Sequence, residues 1–151
     1  MIDTAARDRE VRIAVAAETQ GRGAIPTAAD VAARLRMTTD EVFDAFKRLF
    51  AAHVLILDQA TGEILAFDPF STGPTDFAVE SAGRDWWGIC GWDALGIPAA
   101  LRSDGTLRTS CGDCGEPLEV RVASGTVAGP AGTVLQIGLP ALQWWKDIRF
   151  T

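Results

Sequence analysis

The sequence contains no tyrosine and one histidine, His53. A histidine-based catalytic triad would therefore have to use His53, and a metal site with several histidine ligands cannot be built. The chain also has no apolar run near the roughly 20 residues that a membrane-spanning helix needs. The N-terminal "MIDTAARDREVRIAVAAETQG" is charged and shows no signal-peptide pattern, which predicts a cytoplasmic protein with no membrane partner.

Basic residues are also fewer than acidic residues. Lys and Arg number 14 against 20 Asp and Glu, which gives a net charge of −6. Such a surface repels phosphate backbones, so the composition disfavours nucleic acid as a partner. Three cysteines, an odd number, argue against a disulfide framework in a reducing compartment and favour metal or thiolate chemistry.

The N-terminal part predicts three helices and a hairpin. The first helix spans residues 3–19 with Asp3 or Thr4 as its cap, and Thr27 and Thr38 cap the next two. The strands "HVLILD" and "EILAFD" follow, joined by "QATG", whose Thr-Gly pair suits a hairpin turn. This order is typical of a winged helix-turn-helix.

DNA binding is the usual function of such a module, which would occupy residues 1–68. Its third helix, however, begins with Asp40 and Glu41 and adds Asp44, and acidic groups are unfavourable in a DNA groove. We therefore expect a structural or substrate-covering role for this segment.

The second domain is predicted over residues 69–151, and the Pro- and Gly-punctuated segment "FDPFSTGPTDFAVES" is predicted to be a linker at the boundary between the two domains. One main helix is expected near residues 91–101. Strands are expected in "PLEVRVASGTV", in "AGTVLQIGLP" and at the end of "LQWWKDIRFT", where Ile148 and Phe150 alternate. The fold class is therefore α+β, with the winged-helix-like segment packed on a mostly antiparallel sheet.

The segment "WWGICGWDALGIPAAL" contains a thiol and a carboxyl group three residues apart. If Cys90 opens the helix, Asp93 lies one turn later on the same face. A helix N-terminus lowers a cysteine pKa, while burial by Trp86, Trp87 and Trp92 would raise the pKa of the carboxyl group. The alternative is that Cys90 is a small buried hydrophobe and Asp93 interacts with the helix dipole. The spacing by itself does not decide between them.

A second cysteine motif, "TSCGDCGEP", places Cys111 and Cys114 in a C-x-x-C pattern that looks like half of a zinc ribbon. Zinc normally takes four ligands, and Cys90, His53 or a nearby carboxylate would have to complete the set. The alternative is a reduced turn with two packed thiols. A redox role is less favoured because no βαβ pattern surrounds the motif.

Taken together, these segments resemble the organomercurial (alkylmercury) lyases. The resemblance runs from "IPTAADVAARLRMTTDEVFDAF" through "FDPFSTGPTDFAV" and "SCGDCGEPLEVRV" to "WWKDIRFT". Its centre is the pattern W-x-x-C-x-x-D-A-L-x-[IF]-P, which "WWGICGWDALGIP" satisfies. This combination is far more specific than C-x-x-D alone.

The resemblance implies roles for named residues. The cysteine matching Cys90 binds mercury and attacks the organomercurial, the aspartate matching Asp93 protonates the carbon leaving group, and the cysteine matching Cys111 is structural. The family also uses a second mercury-binding cysteine shortly after the segment resembling "WWKDIRFT", and no cysteine follows Cys114 in this chain. Cys111 or Cys114 would then supply an auxiliary thiol.

The resemblance implies a small organomercurial substrate, a hydrocarbon product, and Hg(II) as the bound product, which a low-molecular-weight thiol would remove. No resident cofactor is required. A second hypothesis is a non-catalytic soft-metal-binding or metal-sensing protein on the same fold, holding Hg²⁺, Zn²⁺ or Cu(I) through Cys90, Cys111 and Cys114. A transcription factor with a ligand-binding C-terminal half is a third.

Overall fold

A computed structural model of the chain describes residues 4–146. The chain divides into two units, Met1–Thr72 and Gly73–Thr151, and helices and antiparallel strands occur in both. The predicted α+β class is confirmed. No helix within residues 4–146 combines the length and the apolar character needed to cross a membrane.

Three helices open the N-terminal unit: α1 (Thr4–Arg22), α2 (Ala28–Leu35) and α3 (Thr39–Ala51). The predicted caps of the second and third helices are confirmed. Thr27 and Thr38 each accept a hydrogen bond from the third residue of their helix, and the acidic side chain there accepts one in return. Asp3, one of the two predicted caps of the first helix, lies outside the described residues.

A small antiparallel sheet completes this unit, with β1 (Ile56–Leu57), β2 (Ile64–Phe67) and β3 (Phe70–Ser71) in that order. The predicted hairpin is confirmed by the pairing of β1 with β2, and Gly62 closes its turn at φ +75°. Val11, Val31, Val42, Phe46 and Leu55 lie in the buried core that the helices and strands share.

A five-stranded antiparallel sheet forms the C-terminal unit. Its strands are β4 (Ala78–Ser81), β5 (Arg84–Trp87), β6 (Gly105–Ser110), β7 (Pro117–Ala123) and β8 (Thr126–Ala128). They are arranged in the order β5-β4-β6-β7-β8. Because β5 and β6 both run antiparallel to β4, they leave the sheet at the same end.

One face of this sheet is apolar. Trp86, Val79, Leu107 and Val120 are paired neighbours on successive strands, and all four side chains are buried. The helix α4 (Gly91–Leu101) packs against β4 and β6 and is the helix predicted near residues 91–101. The period-2 alternation in β7 is also confirmed.

Two predictions about residues 67–81 and 131–140 are wrong. The segment interpreted as a linker contains β3 and β4, which are too short to give a periodic sequence signal. The segment 131–140 is not a strand, and its apolar side chains, among them Val134 and Ile137, are exposed. No strand of the described sheet pairs with it. The predicted last strand around Ile148 and Phe150 lies outside the described residues.

Candidate functional site at the start of α4

A tight turn carries the chain from β5 into α4 and fixes the position of Cys90. Gly88 donates its N–H to the carbonyl of Phe77 at 3.0 Å, and the Thr75 hydroxyl donates to the Gly88 carbonyl at 2.6 Å. A Cβ atom on Gly88 would lie 2.6 Å from the backbone nitrogen of Ala94. Glycine is therefore required for the turn to lie this close to the helix.

Cys90 is the N-cap residue of α4, and its carbonyl accepts the first helical hydrogen bond, from Ala94, at 2.9 Å. One turn later, Asp93 projects to the same side. The Cys90 thiol donates a hydrogen bond to Oδ2 of Asp93 at 3.3 Å, and both side chains are half-buried. The expected juxtaposition of the thiol and the carboxylate is therefore present.

The pKa of the Cys90 thiol is raised, contrary to the expectation from its helical position. Burial is the largest cause, because it disfavours the charged thiolate. The backbone N–H of Asp93 opposes this effect, but the Asp93 carboxylate adds to it by repelling a second negative charge. At neutral pH the sulfur therefore keeps its proton and shares it with the carboxylate.

The three tryptophans predicted to exclude water behave differently from one another. Trp86 is 4% exposed and donates its indole N–H to the Ser81 carbonyl at 3.0 Å, so it closes the β4–β5 hairpin. Trp87 is half-buried. Trp92 is 57% exposed, so the prediction that it shields the site is wrong. Trp92 is the second residue of α4 and follows the N-cap residue Cys90 by two positions.

Two apolar side chains missed by the sequence analysis lie beside the first turn of α4. A Cβ atom on Gly91 would lie 2.8 Å from Cδ1 of Leu135 and 3.5 Å from Cε1 of Phe77. Leu135 is 46% exposed and belongs to the segment that was predicted to be a strand. No spacing rule in the sequence connects residues 91 and 135, so only the fold brings them together.

Cys111 and Cys114 lie in the turn between β6 and β7. The turn is held by hydrogen bonds from the Cys111 N–H to the Glu116 carbonyl at 2.8 Å and from the Gly115 N–H to the Cys111 carbonyl at 2.9 Å. The backbone N–H groups of Cys114 and Asp113, and then the Cys114 thiol, lower the pKa of Cys111 by hydrogen bonding to its sulfur. Cys111 is half-buried and Cys114 is exposed.

The two thiol sites lie at the same end of the sheet. Ala78 of β4 pairs with Trp87 on one side and with Arg108 on the other, and the chain reaches Cys90 and Cys111 three residues beyond these partners. Strands β5 and β6 are separated by β4, which places them roughly 9–10 Å apart. Across residues 4–146, no three His, Cys, Asp or Glu side chains are grouped closely enough to hold one metal ion.

The structure therefore does not bring Cys90, Cys111 and Cys114 into one three-thiolate cluster within the described part of the chain. The Cys₃His set that the sequence allowed is not assembled there either. His53, in the N-terminal unit, is exposed, follows α3 and has φ +60°.

Comparisons with known proteins agree with the site's sequence pattern. The model of the alkylmercury lyase family matches residues 70–151, which is more than half of this chain. A solved structure titled "Crystal structure of the mercury-bound form of MerB2" superposes with a TM-score of 0.63 at 22% identity, covering 79% of this chain. This chain spans 58% of that protein's length. No curated protein matches the sequence.

Proposed function

Because this chain belongs to the alkylmercury lyase family, we propose that it cleaves carbon–mercury bonds by protonolysis, with Cys90 as the mercury ligand and Asp93 as the proton donor. The observation that carries the proposal is the 3.3 Å hydrogen bond from the Cys90 thiol to the Asp93 carboxylate. A soft thiolate is the ligand that mercury prefers, and cleavage of its bond to carbon requires a proton at the carbon.

The pair holds one transferable proton. As the Sγ–Hg bond forms, the thiol proton of Cys90 moves to Oδ2 of Asp93, and the thiolate replaces the ligand that mercury carried into the site. Asp93 then gives this proton to the carbon, which keeps the electron pair of the breaking carbon–mercury bond. A hydrocarbon leaves, Hg(II) stays on Cys90, and Asp93 is again a carboxylate.

The raised pKa of Cys90 supports this order of events. A cysteine that was ionised beforehand would bring no proton to the site, and Asp93 would have to take one from solvent. In the proposed sequence, mercury binding itself displaces the proton onto the carboxylate, next to the carbon that needs it. The site requires no resident cofactor in this scheme.

The organic group needs an apolar surface close to Cys90. Phe77 and Leu135 offer one, because both lie against Gly91, the residue that follows the cysteine. Removal of Hg(II) needs a stronger or more abundant soft ligand than one protein thiolate. A low-molecular-weight thiol in excess fits that role, since Cys90 is half-buried and remains within reach of a small molecule.

The test is the release of benzene from phenylmercuric acetate in the presence of excess thiol. We expect release by the unaltered chain and none above the protein-free rate for Cys90→Ser, because serine oxygen is a poor mercury ligand. Asp93→Asn should bind phenylmercury through Cys90 and release no benzene, because an amide has no acidic proton to give.

The matched control is Asp85→Asn, which removes an exposed carboxylate from β5 in the same unit. It should release benzene at the unaltered rate. Unchanged release by Asp93→Asn, or equal losses in Asp93→Asn and Asp85→Asn, would contradict the assignment of Asp93 as the proton donor.

A further inference from the structure

The turn between β6 and β7 carries two thiols that the proposed lyase chemistry does not use. Cys111 follows the last residue of β6, and Cys114 is exposed in the turn. Hydrogen bonds from the Cys111 N–H to the Glu116 carbonyl and from the Gly115 N–H to the Cys111 carbonyl close this turn around the two cysteines. Two sulfur ligands therefore lie three residues apart on one small loop.

The backbone of this loop is held by the sheet and by its own hydrogen bonds. The register of β6 and β7 runs without a break to the pair Ser110 and Pro117. Beyond that pair, the N–H of Cys111 donates to the Glu116 carbonyl, and Gly115, at φ +75°, donates back to the Cys111 carbonyl. The ligands are thus held by the sheet, and binding an ion would order little additional chain.

The number of ligands limits which ion the loop can hold. Structural zinc sites take four ligands, and within residues 4–146 no third His, Cys, Asp or Glu joins the pair. Soft cations that accept two thiolates, of which Hg(II) and Cu(I) are examples, need no further ligand from the protein. The carboxylates of Asp113 and Glu116 on the same exposed loop add negative charge that favours a cation over an anion.

We propose that Cys111 and Cys114 form a second soft-metal site, a two-thiolate clamp on the β6–β7 turn that binds Hg(II) or Cu(I) independently of Cys90. Binding replaces two S–H bonds by two sulfur–metal bonds and releases the two protons to solvent. No electron is transferred. The proposal goes beyond the lyase function and does not depend on it.

The test uses the Cys90→Ser chain, in which the pair provides the only thiols, with mercuric chloride as the probe. We expect one Hg(II) per chain to abolish both thiols in a colorimetric thiol assay, with no change in the native mass of the protein. Changing Cys114 to Ser in this background should weaken Hg(II) retention against a competing monothiol by about 100-fold or more, because one of two linked ligands is lost. Cys114 is exposed, so this variant should keep its fold.

Three results would overturn the proposal. The first is titration of the two thiols one by one, with a separate Hg(II) for each. The second is equal Hg(II) retention with and without Cys114. The third is tight Zn(II) binding with a doubled mass, which would mean that two copies supply four thiolates to one zinc. Loss of lyase activity in Cys90→Ser affects none of these measurements, so the two proposals fail separately.

Discussion

Cys90 and Cys111 leave the same end of one sheet, yet the pKa of the first thiol is raised and that of the second is lowered. Helix position does not explain this, because Cys90 is the one at a helix N-terminus. The difference comes from the burial of the Cys90 sulfur and from the groups that surround each thiol. Cys90 is partly desolvated beside a carboxylate, whereas Cys111 receives hydrogen bonds from two amide N–H groups in an open turn.

This contrast separates two kinds of thiol chemistry. A protonated thiol beside a carboxylate suits a reaction in which a proton must be stored and then delivered to the substrate. A thiol whose thiolate form is stabilised by amide N–H groups suits binding, since the thiolate is the form that ligates metal. We therefore expect one sheet end to carry a reactive site and a binding site side by side.

The largest difference between the two regions should appear in stability. The turn before Cys90 is closely packed, since a Cβ atom on Gly88 would meet the backbone of Ala94 at 2.6 Å, whereas a Cβ atom on Gly112 would meet nothing within 4 Å. We expect Gly88→Ala to lower the free energy of unfolding by about 1–3 kcal/mol and Gly112→Ala to change it by less than about 0.5 kcal/mol.

Urea unfolding followed by tryptophan fluorescence makes this measurement, because all five tryptophans belong to the C-terminal unit. Equal midpoints for the two variants would mean that the turn before Cys90 is no more constrained than the β6–β7 loop.

The sequence predicted the parts of this contrast that depend on local spacing. The helix at 91–101, with Cys90 at its start, was predicted from the sequence. Cys90 and Asp93 are one helical turn apart, so their shared face was predictable as well. The caps at Thr27 and Thr38 were also predictable from the sequence, because each cap and its backbone partner lie within four residues.

The parts that depend on tertiary contacts were not predictable. The pKa of Cys90 was expected to fall, because the sequence shows the helix N-terminus and does not show how deeply the sulfur is buried. Trp92 was assigned to a shielding role on composition, although its position on α4 leaves it exposed. The contact of Leu135 with the start of α4 joins residues more than forty positions apart, beyond the reach of any periodicity.

The next effect to measure is thiol reactivity. In a Cys111→Ser/Cys114→Ser chain, Cys90 should react slowly with iodoacetamide at neutral pH, and its rate should rise at a higher pH than that of an unperturbed cysteine. In a Cys90→Ser/Cys114→Ser chain, Cys111 should react faster, with its rise at a lower pH, because the amide N–H groups remain. Rates measured across a pH series test both directions. Coincident profiles would remove the distinction between the two regions.

The smallest effect concerns the carboxylates. Asp93 repels the Cys90 thiolate and accepts its proton, so Asp93→Asn should lower the pKa of Cys90 and speed its alkylation at neutral pH. Asp113 also repels the Cys111 thiolate, but this is the weakest of the influences on that sulfur, so Asp113→Asn should lower its pKa less. Each variant is compared with its own single-cysteine parent. If Asp93→Asn speeds the alkylation of Cys90 and abolishes the release of benzene, then Asp93 contributes a proton to the reaction at the expense of thiol ionisation. An unchanged alkylation profile would instead place the carboxylate too far from the sulfur to receive its proton.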